Sequence, residues 1–346
     1  MNMRQLGDSG PLVSEVGLGC MAMSGVYGPA DDEESVYTIQ EAIDQGVNLL
    51  DTGDFYGMGH NEMLVGRAIQ GRREKVLLSV KFGAMRTPSG MFTGVDTRPS
   101  AVKNFAAYSL RRLGVEHIDI YRPSRLDQAV PIEDTIGAIG DLVKEGYVRH
   151  IGLSEVSAQT VRRACAVHPI VDLQIEYSLV SRGIEQAILP ALRELGVAVT
   201  AYGLLSRGLL SGSKPAGASD LRAHFPRFTE VNLQQNARLV ETLDRIAKEH
   251  HVTGTQLAIA WVLHQGGDIF PLLGSRTREQ LREALGALRM KLSQEELRRI
   301  AEAVPAESVA GMRYDARQMA MLDSEGAARA TLAPLRATKS PASVSL

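Results

Sequence analysis

The chain lacks most of the features that mark an extracellular, metal-bound or membrane protein. Only two cysteines, Cys20 and Cys165, occur among 346 residues, in unrelated contexts. With no CxxC or Cys/His spacing beside them, neither a disulfide framework nor a zinc site is expected, and both read as reduced packing residues. No apolar run approaches the roughly 20 residues that span a bilayer. The start, MNMRQLGDSG, has no basic stretch followed by an apolar one, so no secretory leader is expected and a cytoplasmic location is. Neither sign of charge is in excess. The formal net charge is -2 and the basic residues are scattered, which argues against nucleic-acid and anionic-membrane partners.

Short apolar runs alternating with amphipathic segments are plentiful. Eight runs read as strands: VGLGC, VNLL, VLLSVK, IDIYR, HIGLS, VDLQI, VAVTAY and DIFPLL. Between them lie helical patterns with clear punctuation. DDEESVYTIQEAIDQG opens on acids and closes on Gly46, and RPSAVKNFAAYSLRRLG has proline at its start, arginines in its last turn and then Gly114. PIEDTIGAIGDLVKEG and IEQAILPALRELG repeat the layout. Parallel strands covered on both faces read as continuous apolar runs, so the pattern predicts an α/β fold, a (β/α)8 TIM barrel with extra C-terminal helices. RQLG and LVSEVG around Asp8-Ser9-Gly10 predict an N-terminal hairpin plugging the barrel bottom. A single domain is expected over 1–325, with a flexible extension at 326–346 rich in Ala, Ser, Thr and Pro. The long segment after Leu209 exceeds an ordinary loop and reads as a lid.

Catalytic candidates in such a barrel sit at the carboxyl ends of the strands. The second run leads into DTGDFYG, with Asp51 at the strand tip and Tyr56 in the turn; the third ends in Lys81. A lysine closing an apolar run must be paired or escape to water. Together the three read as a tuned proton donor: Asp51 holds Lys81, and the cation eases ionisation of the Tyr56 phenol. The same residues also fit an ion pair that merely closes the barrel top beside a packed tyrosine. VGLGCMA approximates GxGxxA, but the next helical pattern begins only near Asp31, which excludes a Rossmann unit.

DTGDFYG, SVKFG, IDIYR, GLSE, QIEYSL, AYGLLSRGLLSG and GSRTREQLREALGAL, in this order, resemble the aldo-keto reductase superfamily, nearest the bacterial and plant branch, up to VAGMRY. The resemblance implies a barrel that binds extended NADPH/NADP+ and reduces a small-molecule carbonyl, an aldehyde or ketone, to an alcohol. It assigns Asp51, Tyr56 and Lys81 to three catalytic positions, with Tyr56 the general acid. The fourth departs: where the family reads histidine, the sequence Tyr121-Arg122-Pro123-Ser124-Arg125 places Ser124. A hydroxyl can donate a hydrogen bond but does not switch charge near neutral pH. Arg122, on the same strand face as Ser124, and Arg125 are expected to shape the substrate site, or Arg122 pairs with a neighbouring carboxylate.

For the cofactor, the resemblance implies Gly19, Cys20 and Met21 beside the nicotinamide ribose. It implies Ser154, Glu155 and Gln174 at the carboxamide, although Glu155 stands where relatives often carry Asn, and Tyr202 stacked on the ring. Gly203, Leu204, Ser206, Arg207 and Gly208 suit the pyrophosphate through backbone amides. Gly274, Ser275 and Arg276, opening a helix with Gln280 and Glu283, suit a phosphate monoester and so NADPH over NADH. A cofactor-binding regulatory module of the potassium-channel β-subunit type is the alternative, with the absent histidine as its clue. Whether the chain is a monomer or a homo-oligomer is left open.

Overall fold

The computed structural model describes residues 1–217 and 220–325; the extension expected at 326–346 lies outside them. Strands β1 (Met3–Gln5) and β2 (Leu12–Ser14) form the expected antiparallel hairpin. Leu6, just after β1, and Val13 of β2 are fully buried against Leu49, Ile120, Val171 and Phe270, so the hairpin caps one end of the core. The chain then enters β3 (Gly17–Gly19), α1 (Asp32–Asp44), β4 (Leu49–Gly53), α2 (His60–Ala68) and β5 (Leu77–Phe82). A second hairpin, β6 (Ala84–Arg86) with β7 (Phe92–Val95), interrupts the alternation. There follow α3 (Pro99–Leu113), β8 (Ile118–Pro123), α4 (Ile132–Lys144), β9 (Val148–Ser154), α5 (Ala158–Cys165), β10 (Ile170–Glu176), α6 (Ile188–Glu194) and β11 (Ala198–Tyr202). The rest comprises α7 (Glu230–Glu249), α8 (Gly254–Leu263), β12 (Ile269–Gly274), α9 (Arg278–Leu285), α10 (Gln294–Ala303) and the short α11 (Ala316–Ala320).

β3, β4, β5, β8, β9, β10, β11 and β12 close into a parallel barrel in that order, with β12 returning to β3. All eight predicted runs are thus barrel strands, and the fold is the expected (β/α)8 TIM barrel. Covered on both faces, β10 is buried at every residue, which is why its sequence shows no alternation. Helix ends follow local chemistry. The Asp31 carboxylate accepts from Glu34 N ahead of α1, Pro99 starts α3, and Gly114 ends it at φ 67°, a left-handed conformation that glycine adopts without cost. One helix differs from expectation: the IEQAILPALRELG pattern begins as a short turn, and α6 starts only at Ile188. Among the described residues no helix is long and apolar enough to cross a membrane.

Register fixes what the barrel mouth presents. Gly19 lies opposite Asp51, Gly53 opposite Lys81, Lys81 opposite Arg122, Ser154 opposite Gln174 and Glu176 opposite Tyr202. The polar candidates from separate strands are therefore neighbours before any side chain is considered.

Candidate active site

Across the mouth runs a cleft of about 370 Å³. At one end Lys81 Nζ meets Asp51 Oδ2 at 2.5 Å, with both side chains almost fully buried. The other Asp51 oxygen accepts from Ser79 Oγ at 3.0 Å and Gln174 Nε2 at 2.7 Å, so the carboxylate is fully engaged. Tyr56 follows β4 in a turn whose Gly57, Met58 and Gly59 all take positive φ. This left-handed backbone folds the chain back and seats the Tyr56 ring 5.0 Å from Lys81 Nζ. Glycine tolerates it; Met58 bears the strain.

The expected easing of the phenol's ionisation by Lys81 is not the leading influence at Tyr56. Burial, then the Asp51 charge, pushes the Tyr56 hydroxyl well above its ordinary range, with Arg125 the leading opposing influence. Lys81 is itself held below its usual value by burial, against the pull of Asp51. The ammonium is committed to Asp51, and after burial it is the Asp51 charge that weighs on Tyr56.

Most of the expected cofactor positions line the same cleft: Gly19, Met21, Ser154, Gln174 and Tyr202 near the Asp51 end, then Gly203, Leu204, Arg207 and Gly208. The loop after β11 is tightly wound, with Gly203, Ser206, Arg207 and Gly208 all at positive φ. A Cβ on Gly203 would stand 3.1 Å from Glu176 Cγ, and one on Gly208 3.0 Å from Ser213 Cβ, a tight fit that adds to the preference of the left-handed backbone for glycine. The far end is formed by Gly274, Ser275, Arg276, Gln280 and Glu283. There Arg276 Nη1 donates to Tyr27 O at 3.0 Å and Arg276 N to Gln280 Oε1 at 3.1 Å, ahead of an α9 capped by Thr277. A Cβ on Gly274 would meet nothing within 4 Å, leaving this rim open to a ligand.

Five candidates stand outside the cleft wall. Arg122 is fully buried and pairs with Asp172 at 2.9 Å, so it does not shape the substrate site. Gly152 makes the pair possible, since a Cβ there would lie 2.4 Å from Asp172 Oδ1. The Ser124 side chain is buried, and its hydroxyl has no hydrogen-bond partner among the described residues. Cys20 is buried with its thiol pushed up by that burial. Ser206 Oγ accepts from Arg227 at 2.8 Å. Glu155 is taken by Arg313 at 2.7 Å and by Tyr202 Oη at 2.7 Å, which leaves it no role at a carboxamide. Burial would raise its carboxyl; Arg313 overrides this and holds it well below the carboxylate range.

Residues the sequence reading missed come from distant segments. Tyr314 lines the cleft and its hydroxyl lies 3.0 Å from that of Tyr202. Arg313 beside it also approaches Glu176 at 3.4 Å, and Arg207 meets Glu176 at 2.9 Å while lying over the Tyr314 ring. Arg222, from the long segment after Leu209, clasps Asp220, Ser213 Oγ and Lys214 O and lies over the Tyr27 ring. Arg227 of the same segment donates to Ser206 Oγ and Val180 O, so the expected lid is a strap tied down by arginines. Buried arginines in otherwise apolar surroundings, as in HFPRF, were the available signal.

The aldo/keto reductase family model matches residues 15–305. A probable aldo-keto reductase 1 of Glycine max is 44% identical over 318 residues, covering 90% of this chain and 91% of that protein. The glycerol dehydrogenase of Gluconobacter oxydans superposes with a TM-score of 0.79 at 30% identity, covering 87% of this chain and 94% of that one. An aldo/keto reductase of Klebsiella pneumoniae, solved with NADP and acetate, gives 0.70 at 25% identity, covering 91% and 99%. Sequence, barrel closure and the layout of the mouth agree, and the chain belongs to the aldo/keto reductase family.

Proposed function

We propose that the chain reduces an aldehyde or ketone to an alcohol with NADPH, and that Tyr56 is the general acid. The observation that carries this reading is the Tyr56 ring on the cleft wall, 5.0 Å from an ammonium itself held 2.5 Å from Asp51. The residues present fit a dinucleotide. The donor set at Ser275, Arg276 and the start of α9 suits a phosphate monoester, the glycine-bearing loop after β11 suits a pyrophosphate, and Ser154 and Gln174 suit an amide. The NADP-bound Klebsiella relative is consistent with this. When bound, the nicotinamide supplies hydride to the carbonyl carbon.

Tyr56 does the protein's part of the chemistry. Its high affinity for the proton keeps the phenol loaded, and it gives the proton up only as negative charge gathers on the carbonyl oxygen. Lys81 then faces the phenolate. Asp51 holds Lys81 in place, and Ser79 with Gln174 holds Asp51. The reverse reaction, oxidation of an alcohol, uses the same groups.

One observation favours a second reading, a cofactor-binding regulatory module with little turnover: position 124 offers no imidazole, and its hydroxyl is buried away from the cleft. The test is NADPH oxidation against a panel of aldehydes and ketones. Turnover that collapses in Tyr56→Phe is expected, whereas tight NADPH binding with no turnover on any carbonyl overturns the reductase in favour of the module.

A further inference from the structure

The arginines around the barrel mouth divide into two groups. Arg207 and Arg227 meet Glu176 at 2.9 and 3.5 Å, Arg222 meets Asp220 at 2.7 Å, and Arg313 meets Glu155 at 2.7 Å. Arg125 and Arg276 also line the cleft, yet neither has a carboxylate in ion-pair contact among the described residues. They mark its two ends. Arg276 lies where the cofactor phosphate is proposed. Arg125 lies at the catalytic end, close enough to Tyr56 that its charge opposes the rise in the phenol's proton affinity.

Arg125 is also held in place. Its Nη1 donates to the carbonyl of Ser124 at 2.6 Å, and its Nη2 reaches the Tyr314 hydroxyl at 3.5 Å. Position 124 thus serves the site through its backbone rather than its side chain. A guanidinium has five N–H donors, so Arg125 keeps donors for a ligand, and little side-chain freedom is lost when one binds. Among the described residues no carboxylate touches this cation in the cleft, so an anionic group of a ligand can seat directly beside it.

We propose that Arg125 receives a carboxylate of the substrate, so that the preferred carbonyl compounds are oxo acids with the carbonyl at Tyr56. This rests on the carbonyl-reductase reading and names its substrate class. Charge favours a carboxylate over a phosphate monoester. Lys81 is committed to Asp51, and Arg207 and Arg313 to glutamates. A single guanidinium is left to balance a single negative charge, whereas Arg276 at the proposed cofactor phosphate is joined by Ser275 and the start of α9.

The experiment compares 4-oxobutanoate, butanal and glyceraldehyde 3-phosphate as substrates of the whole chain with NADPH, and measures butanoate binding to the NADP+-loaded protein by calorimetry. The acid is expected to exceed butanal in kcat/KM by at least about tenfold. Arg125→Met is expected to bring that ratio close to one, chiefly by raising KM for the acid, and to abolish butanoate binding; Arg125→Lys should retain part of both. A merely structural Arg125 would weaken both substrates equally and leave the ratio standing, which overturns the proposal while carbonyl reduction survives. Equal use of acid and butanal by the unaltered protein overturns it too, as does preference for the phosphate ester. If no carbonyl is reduced, the reductase reading fails, and butanoate binding that Arg125→Met abolishes still supports the anion site.

Discussion

Arg313 Nη2 lies 2.7 Å from Glu155 Oε2, although 158 positions separate the two residues in the chain. The contact draws the C-terminal segment across the barrel mouth and brings Tyr314 onto the cleft wall. Glu155 and Glu176 are both fully buried carboxylates whose affinity for protons would rise with burial but is held below the ordinary range by arginines. Removing one partner of a buried pair leaves an uncompensated charge, so Arg313→Met is expected to cost about 3–5 kcal/mol in urea unfolding at neutral pH. Groups of depressed folded pKa give stability that is present above the unfolded value near 4.5 and lost as pH falls. The gap between the two proteins should therefore narrow in acid, where the carboxylates of the variant take up protons. A loss below about 1 kcal/mol at pH 7 would mean that the network does not hold the segment.

Tyr56 is expected to stay protonated throughout the working range. Burial and Asp51 push its hydroxyl well above 10, so ionisation of this residue does not limit carbonyl reduction between about pH 6 and 9. Tyr56→Phe should lower kcat by roughly 10²–10⁴-fold while NADPH binding, followed by fluorescence, persists. A basic limb in kcat/KM near pH 8 that disappears in Tyr56→Phe would show instead that Lys81 lowers the phenol.

How much of this was legible in the sequence depends on the range of the interaction. The barrel strands were legible because burial on both faces writes a continuous apolar run into each. Asp51 and Lys81 stood out because a charge at the end of such a run needs a partner. The partners of Arg122 and Glu155 did not, since Asp172 and Arg313 lie on other elements and no local pattern links them. The sequence therefore leaves Arg122 between the substrate site and an ion pair with an unnamed carboxylate, and points Glu155 to a ligand rather than to Arg313. The hairpin of β6 and β7 was unread because its short strands, Ala84–Arg86 and Phe92–Val95, carry no sustained alternation.

Arg276 tests the choice of cofactor. Its backbone amide bonds Gln280 and its side chain reaches Tyr27 O, which fixes the guanidinium beside Ser275. A charge-assisted bond to a 2′-phosphate is worth about 1.5–3 kcal/mol, so Arg276→Ala should raise the NADPH KM roughly ten- to a hundredfold and leave that for NADH nearly unaltered. Equal effects on both cofactors would place the phosphate elsewhere.

Asp54, three residues after Asp51, gives a stability signal of opposite sign. Burial, followed by the charge of Glu62, pushes its carboxyl up to about 7, although Gly83 N donates to it at 3.2 Å. Between about pH 4 and 7 the folded state holds a proton that the unfolded chain has released, so this group makes stability fall as pH rises through that window. The contribution reaches at most about 4 kcal/mol. Asp54→Asn removes it, and the variant should gain on the unaltered protein between pH 5 and pH 8 in urea titrations. Parallel curves for the two would mean that Asp54 ionises freely in the fold.

Ser124 distinguishes the inherited catalytic role from the one its geometry supports. Its backbone N–H donates to Phe82 O at 2.8 Å and its carbonyl accepts from Arg125, while its hydroxyl is buried without a partner among the described residues. A buried hydroxyl with no partner adds nothing to stability, and truncating it relieves its desolvation. Ser124→Ala should therefore unfold within about 0.5 kcal/mol of the unaltered protein and keep kcat/KM for a carbonyl within about twofold. Ser124→His must fit an imidazole into a buried position, and is expected to lose about 1–3 kcal/mol without restoring a proton relay. A tenfold fall in turnover for Ser124→Ala, with the fold intact, would return the hydroxyl to the chemistry and require the side chain to turn toward the cleft during reaction.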